Sequence, residues 1–171
     1  HIIDSLSACV GLRLLVEYAV KLRNEGQSIE TIVSILEDAR SRIVLLAMVD
    51  TLEYLHKGGR LSKGSAVMGT LLKIKPVVTL NDGALEMLTK ARGTKNAINV
   101  LFDELAKSGT LDKNVPVYLG YTRDKQQSME FKERGHDSYN LPNINIHPVG
   151  CVIGTHTGPG AVILVYLKEK Q

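Results

Sequence analysis

Apolar residues at 12, 15, 16, 19, 20 and 22 recur at helical spacing and stop at Gly26, which predicts a first helix. Ser28 is placed to cap a second helix. Glu30 and Thr31 lie in its first turn, and Ile32, Ile35, Leu36 and Ala39 form its apolar face. The short 24–27 connection predicts that the two helices pair, over too few residues for a coiled coil. Residues 43–50 are almost continuously apolar and β-branched, the pattern of a buried strand. A short helix is expected over 51–56, a Gly58-Gly59 turn after it, and a second short helix over 65–72. Residues 75–80 and 84–91 read as strands joined at Asn81-Asp82-Gly83, a hairpin signal. A helix over 96–107 turns Ile98, Leu101, Phe102 and Leu105 inward. The remainder predicts a strand at 116–121, a helix at 126–134, a loop at 135–143, and strands at 144–149 and 160–167. Helices interleaved with hairpins predict an α+β fold, a two-layer α/β sandwich on a mixed or antiparallel sheet.

Composition narrows the function classes. At 171 residues the chain suits one domain. A formal charge of +3 is too mild to argue for nucleic acid, and the lack of Trp removes one stacking platform for single strands. No apolar run reaches membrane-spanning length. Cys9 and Cys151 do not make a disulfide framework and suit a reduced, cytoplasmic protein. His1, His56, His136, His147 and His156 are scattered without metal-ligand spacing, so no metal or other cofactor is expected. Ser5, Ser7 and Thr157 are nucleophiles by type only, since no local context for a Ser-His-Asp set accompanies them. No pair among the acidic residues stands out for glycosidase chemistry. These absences favour a binding protein over a stand-alone enzyme.

The densest chemistry lies in residues 50–76. Gly58, Gly59, Gly64 and Gly69 expose backbone, and Arg60 with its neighbouring lysines sets positive charge beside it. Arg60 offers a planar fork to an oxyanion, or a partner to a local carboxylate. His156, in Thr155-His156-Thr157-Gly158-Pro159-Gly160, reads either as a donor to a carboxylate or phosphate or as a turn histidine capping a carbonyl. Arg92 precedes a helix opening and reads as an acidic-partner contact or as part of a solvated basic loop.

The spelling of these segments resembles the DegV family of bacterial fatty-acid-binding proteins. The resemblance rests on Lys57-Gly58-Gly59-Arg60, Gly69-Thr70-Leu71-Leu72, Ile74-Lys75-Pro76, Asp4-Ser5, Asp82-Gly83, Lys90-Ala91-Arg92-Gly93 and His156-Thr157-Gly158-Pro159-Gly160, in family order. It covers nearly all of residues 1–171, read as the family's C-terminal domain, with the N-terminal domain absent. It implies that a long-chain fatty acid is held in an apolar tunnel and presented to a separate ATP-dependent kinase, which makes an acyl phosphate. By that resemblance His156, Thr155, Thr157 and Arg60 fall at the head group. Met68, Leu71 and Leu72, with Val67 and Ile74, fall along the tail, and Arg92 faces the kinase. The family's carboxylate-gripping hydroxyls belong mainly to the absent domain, whose removal is expected to leave a self-associating apolar face near 64–72. Two further classes stay open: a kinase-docking domain that binds no lipid alone, and a phosphate-binding enzyme domain using His156 as acid or base.

Overall fold

The computed structural model describes residues 1–61, 73–139, 141 and 143–170. The expected helix at 65–72, the residues Val67, Met68, Leu71 and Leu72, and the self-association face near 64–72 lie outside them.

The chain opens with α1 (Cys9–Asn24) and α2 (Ile29–Arg42). Ser28 caps α2 as expected, its Oγ accepting from the Thr31 N–H at 3.2 Å. Strand β1 (Ile43–Met48) leads to the short α3 (Glu53–Lys57), and β2 (Ile74–Asn81) and β3 (Ala84–Arg92) form the hairpin. Asp82 and Gly83 both have positive φ, 48° and 76°, as a tight hairpin turn requires. Then follow α4 (Thr94–Lys107), β4 (Val117–Tyr121), α5 (Gln126–Tyr139), β5 (Ile144–Pro148), α6 (Cys151–Thr157) and β6 (Val162–Leu167).

The strands form one six-stranded sheet in the order β3-β2-β1-β6-β4-β5. It is mixed, one of the two forms expected: β4 and β5 run parallel, and the other pairs are antiparallel. The α+β class holds, but helices pack on both faces of the sheet, so there are three layers where two were expected. Leu45 and Ala47 of β1 pack with α1 and α2, whereas Leu46 and Met48 pack into the core that includes α4 and α5. Covering both faces explains the unbroken apolar run of β1, because side chains on both sides of the pleat are buried.

Three local expectations change. Helix α1 buries Val10, Leu14, Leu15 and Leu22, while Leu12, Val16 and Val20 are exposed, so its inward stripe is rotated from the one read in the sequence. Helix α5 runs through Gly135 to Tyr139, where a loop was expected. Gly135 is buried there because a Cβ would meet Ile144 Cδ1 at 3.0 Å and Leu141 Cδ1 at 3.1 Å. The Thr155-His156-Thr157 segment is the end of helix α6, and the turn begins only at Gly158.

Candidate functional site

A cavity of about 1260 Å³ lies on the α1 side of the sheet. Its floor is apolar, made by alternate residues of the strands: Leu45, Ala47 and Val49 from β1 and its end, Val78 and Leu80 from β2, and Ile163 from β6. Such a volume exceeds the roughly 300–1,000 Å³ of common small-molecule pockets and has room for a long chain. The hairpin turn at Gly83, with Leu6 packed against it, lines one end, the loop after α3 and helix α6 line the other, and Ser7 and Cys9 also belong to the lining.

The second end holds the polar groups. Helix α3 ends at Gly58, and Gly59 takes φ 69° to turn the chain back. Arg60 then bends over this turn, its guanidinium donating to the Gly58 carbonyl at 2.7 Å. His156 packs on the same glycine from α6: a Cβ at Gly58 would lie 2.0 Å from the imidazole Nδ1. The structure therefore brings Arg60 and His156, distant in sequence, to one corner of the cavity. His156 Nδ1 is buried and has no hydrogen-bond partner among the described residues. A buried polar nitrogen left unpaired is costly unless a ligand or water completes it. Among the described residues no carboxylate forms an ion pair with Arg60. The corner thus offers one cationic fork and one imidazole to an anion.

The remaining candidates separate. Thr157 lines the cavity, though its hydroxyl donates to the Ile153 carbonyl at 3.2 Å. Thr155 is exposed, donates to the Cys151 carbonyl at 2.8 Å, and does not belong to the lining. Arg92 is exposed at the last residue of β3, outside the cavity. Ile74 opens β2 half-buried and is not a lining residue.

Several participants were not legible as such. Gly158 and Gly160 sit at φ 74° and 77°, with Tyr54 and the Asp50 carboxylate where their Cβ atoms would be. Asp50 pairs with Lys75 at 2.5 Å, tying this turn to the start of β2. Ser7, weighed only as a nucleophile, lines the cavity and has a buried Oγ with no partner among the described residues. Cys9 lines it too, and burial raises its thiol pKa, so it stays protonated and acts as an apolar wall. Both cysteines are free. A smaller groove of about 590 Å³ lies between α5 and β5 and is reached by none of the candidate residues. No cluster of metal-ligating side chains occurs among the described residues, and no helix among them is long and apolar enough to cross a membrane.

The profile of the DegV family, described as uncharacterised proteins, matches residues 1–169. The chain belongs to the DegV family. A DegV domain-containing protein of Clostridium perfringens is 34% identical over 171 residues, covering 99% of this chain and 59% of its own length. This DegV chain therefore spans about three-fifths of the relatives it matches. A fatty-acid-binding DegV protein of Thermus thermophilus superposes with a TM-score of 0.87 at 30% identity, over 99% of this chain and 61% of that one. The Streptococcus pneumoniae fatty acid kinase (Fak) B3 protein, solved loaded with linoleic acid, gives the same TM-score and identity over 99% and 60%. The DegV fold is seen again in a Eubacterium eligens family member, at a TM-score of 0.90.

Proposed function

We propose that this chain forms the floor and head-group corner of a long-chain fatty-acid site, and presents the carboxylate to an ATP-dependent fatty acid kinase. The observation that carries this is the meeting of Arg60 and a His156 Nδ1 that has no partner among the described residues, at one corner of an apolar cavity. An apolar floor with few polar groups at one end matches an amphiphile with a single anionic head. The fatty acids held by the Thermus and Streptococcus relatives support the same ligand class.

In this reading the chain has no chemical step of its own. A carboxylate oxygen attacks the terminal phosphorus of ATP held by the kinase, ADP leaves, and an acyl phosphate forms. Arg60 and His156 steady the head group and offset the negative charge that gathers there. Arg92 lies outside the cavity and is free to meet the kinase surface. The reading places the protein in the cytoplasm, with ATP, and needs no cofactor within this chain.

Mass spectrometry of ligand released from the purified gene product tests the reading. A bound C16–C18 fatty acid is expected, reduced in the His156→Ala variant. A protein that carries no lipid and still engages the kinase would replace it with a docking domain. A bound phosphorylated metabolite would replace it with an enzyme domain.

A further inference from the structure

Thr122 directly follows β4, is 8% exposed, and does not line the cavity. Three hydrogen bonds nevertheless converge on it from one turn. Its N–H donates to the Ala161 carbonyl at 3.1 Å, its Oγ1 accepts from the Ala161 N–H at 2.8 Å, and that hydroxyl donates to the Gly158 carbonyl at 2.7 Å. A threonine hydroxyl has one proton to give, and here it bridges both ends of the Gly158–Ala161 turn while giving it. The turn closes α6: the Gly158 N–H donates to the Gly154 carbonyl at 2.8 Å, around the helical turn that holds His156. Gly154 stands over the same threonine, with its open Cβ position 4.0 Å from Thr122 Cγ2. Strand β4 is paired on both sides, with β5 and β6, so Thr122 is anchored to the sheet.

We propose that Thr122 is a positioning residue for His156. It fixes the end of α6 to the sheet, and so sets where the imidazole stands at the head-group corner. Its importance to ligand binding rests on the reading of His156 as a head-group contact. Its importance to the ring position does not. Valine is close to threonine in shape but offers neither hydroxyl bond, so Thr122→Val leaves the turn held by the backbone bond alone, without opening a cavity. Serine keeps both bonds.

Two measurements on the full gene product separate these parts. The first is the NMR signal of the His156 ring in lipid-free protein, assigned by its loss in His156→Ala. It is expected to move in Thr122→Val and to hold in Thr122→Ser. The second is oleate affinity by fluorescent fatty-acid displacement. Thr122→Val is expected to bind about tenfold more weakly, Thr122→Ser like wild type, and Thr122→Val no more weakly than Thr122 when His156 is already alanine. Thr122→Ala serves as the lesion if the valine variant does not fold. An unmoved ring signal, failure of serine to restore binding, or an equal loss in the His156→Ala background would overturn the positioning role. Wild-type oleate affinity in His156→Ala alone would instead overturn the head-group reading.

Discussion

At the scale of single residues, the site depends on what is missing from Gly58 as much as on what Arg60 and His156 carry. Gly58 has φ −76° and ψ −3°, a conformation open to any residue, so its backbone does not demand glycine. The demand comes from His156, whose Nδ1 would lie 2.0 Å from a Cβ there. Gly58→Ala therefore tests the imidazole position with little backbone penalty. The ring must swing away, and oleate affinity should fall about tenfold, or about 1.4 kcal/mol. The melting temperature should change by no more than about 4 °C. Unchanged affinity by fluorescent displacement would mean that the ring position does not matter to the ligand. Gly58-Gly59-Arg60 and His156 were both visible in the sequence as unusual clusters. Their meeting was implied only by the family resemblance, because nothing local to either states that α3 and α6 meet. Thr122 was invisible for the same reason: its partners lie in a turn far along the chain.

Elements were legible where one pattern dominated. The continuous apolar runs of β1 and β6 and the Asn-Asp-Gly turn each admitted one reading. Helix α1 did not, because its apolar residues cover more of its circumference than one face, and packing against α2, β4 and β6 chose the buried part. Helix α5 was cut short in the sequence reading by Gly135, which is there for the close approach of Ile144 rather than to end the helix. Strand β5 carries a further consequence. His147 stacks on Tyr118 at 6.1 Å between ring centroids, and its Nε2 is buried with no partner among the described residues. Burial lowers its pKa, the nearby Arg13 charge adds to that, and Glu17 opposes it. Tyr118 stays neutral, its pKa raised by burial and by donating to Glu17 at 2.5 Å. The folded chain thus takes up this proton less readily than the unfolded one. The His147 contribution should be complete above the unfolded value of about 6.5 and decline as pH falls through it toward the lower folded value. Between pH 7.5 and 5.5 the urea midpoint of wild type should drop more than that of His147→Gln. Equal drops would assign the pH dependence to other groups.

The whole molecule has two poles, set by the sheet. Met48 pairs with Val77 and with Val162, Tyr121 pairs with Val162, and Ile74 pairs with Arg92. The end of β1, the starts of β2 and β6, and the ends of β3 and β4 therefore share one end of the sheet. From that end rise α3 and α6 with Arg60 and His156, and there too lies Arg92, while the cavity runs back toward the hairpin turn. Arg92 and the corner of Arg60 and His156 thus sit at one pole without sharing a cavity, which under the proposed function suits a partner reaching the carboxylate from that side. The two should fail differently. A charge at a protein interface chiefly alters association and its salt dependence, whereas a group at the reacting centre alters turnover once the complex has formed. With kinase and full gene product, Arg92→Ala is expected to weaken kinase binding several-fold, more at low salt than at high, with oleate occupancy intact. His156→Ala is expected to lower acyl-phosphate turnover about tenfold at saturating kinase. A salt-dependent docking defect in the histidine variant, with normal turnover once docked, would exchange the two roles. Wild-type behaviour in both would leave Arg92 and His156 as structural residues of this pole.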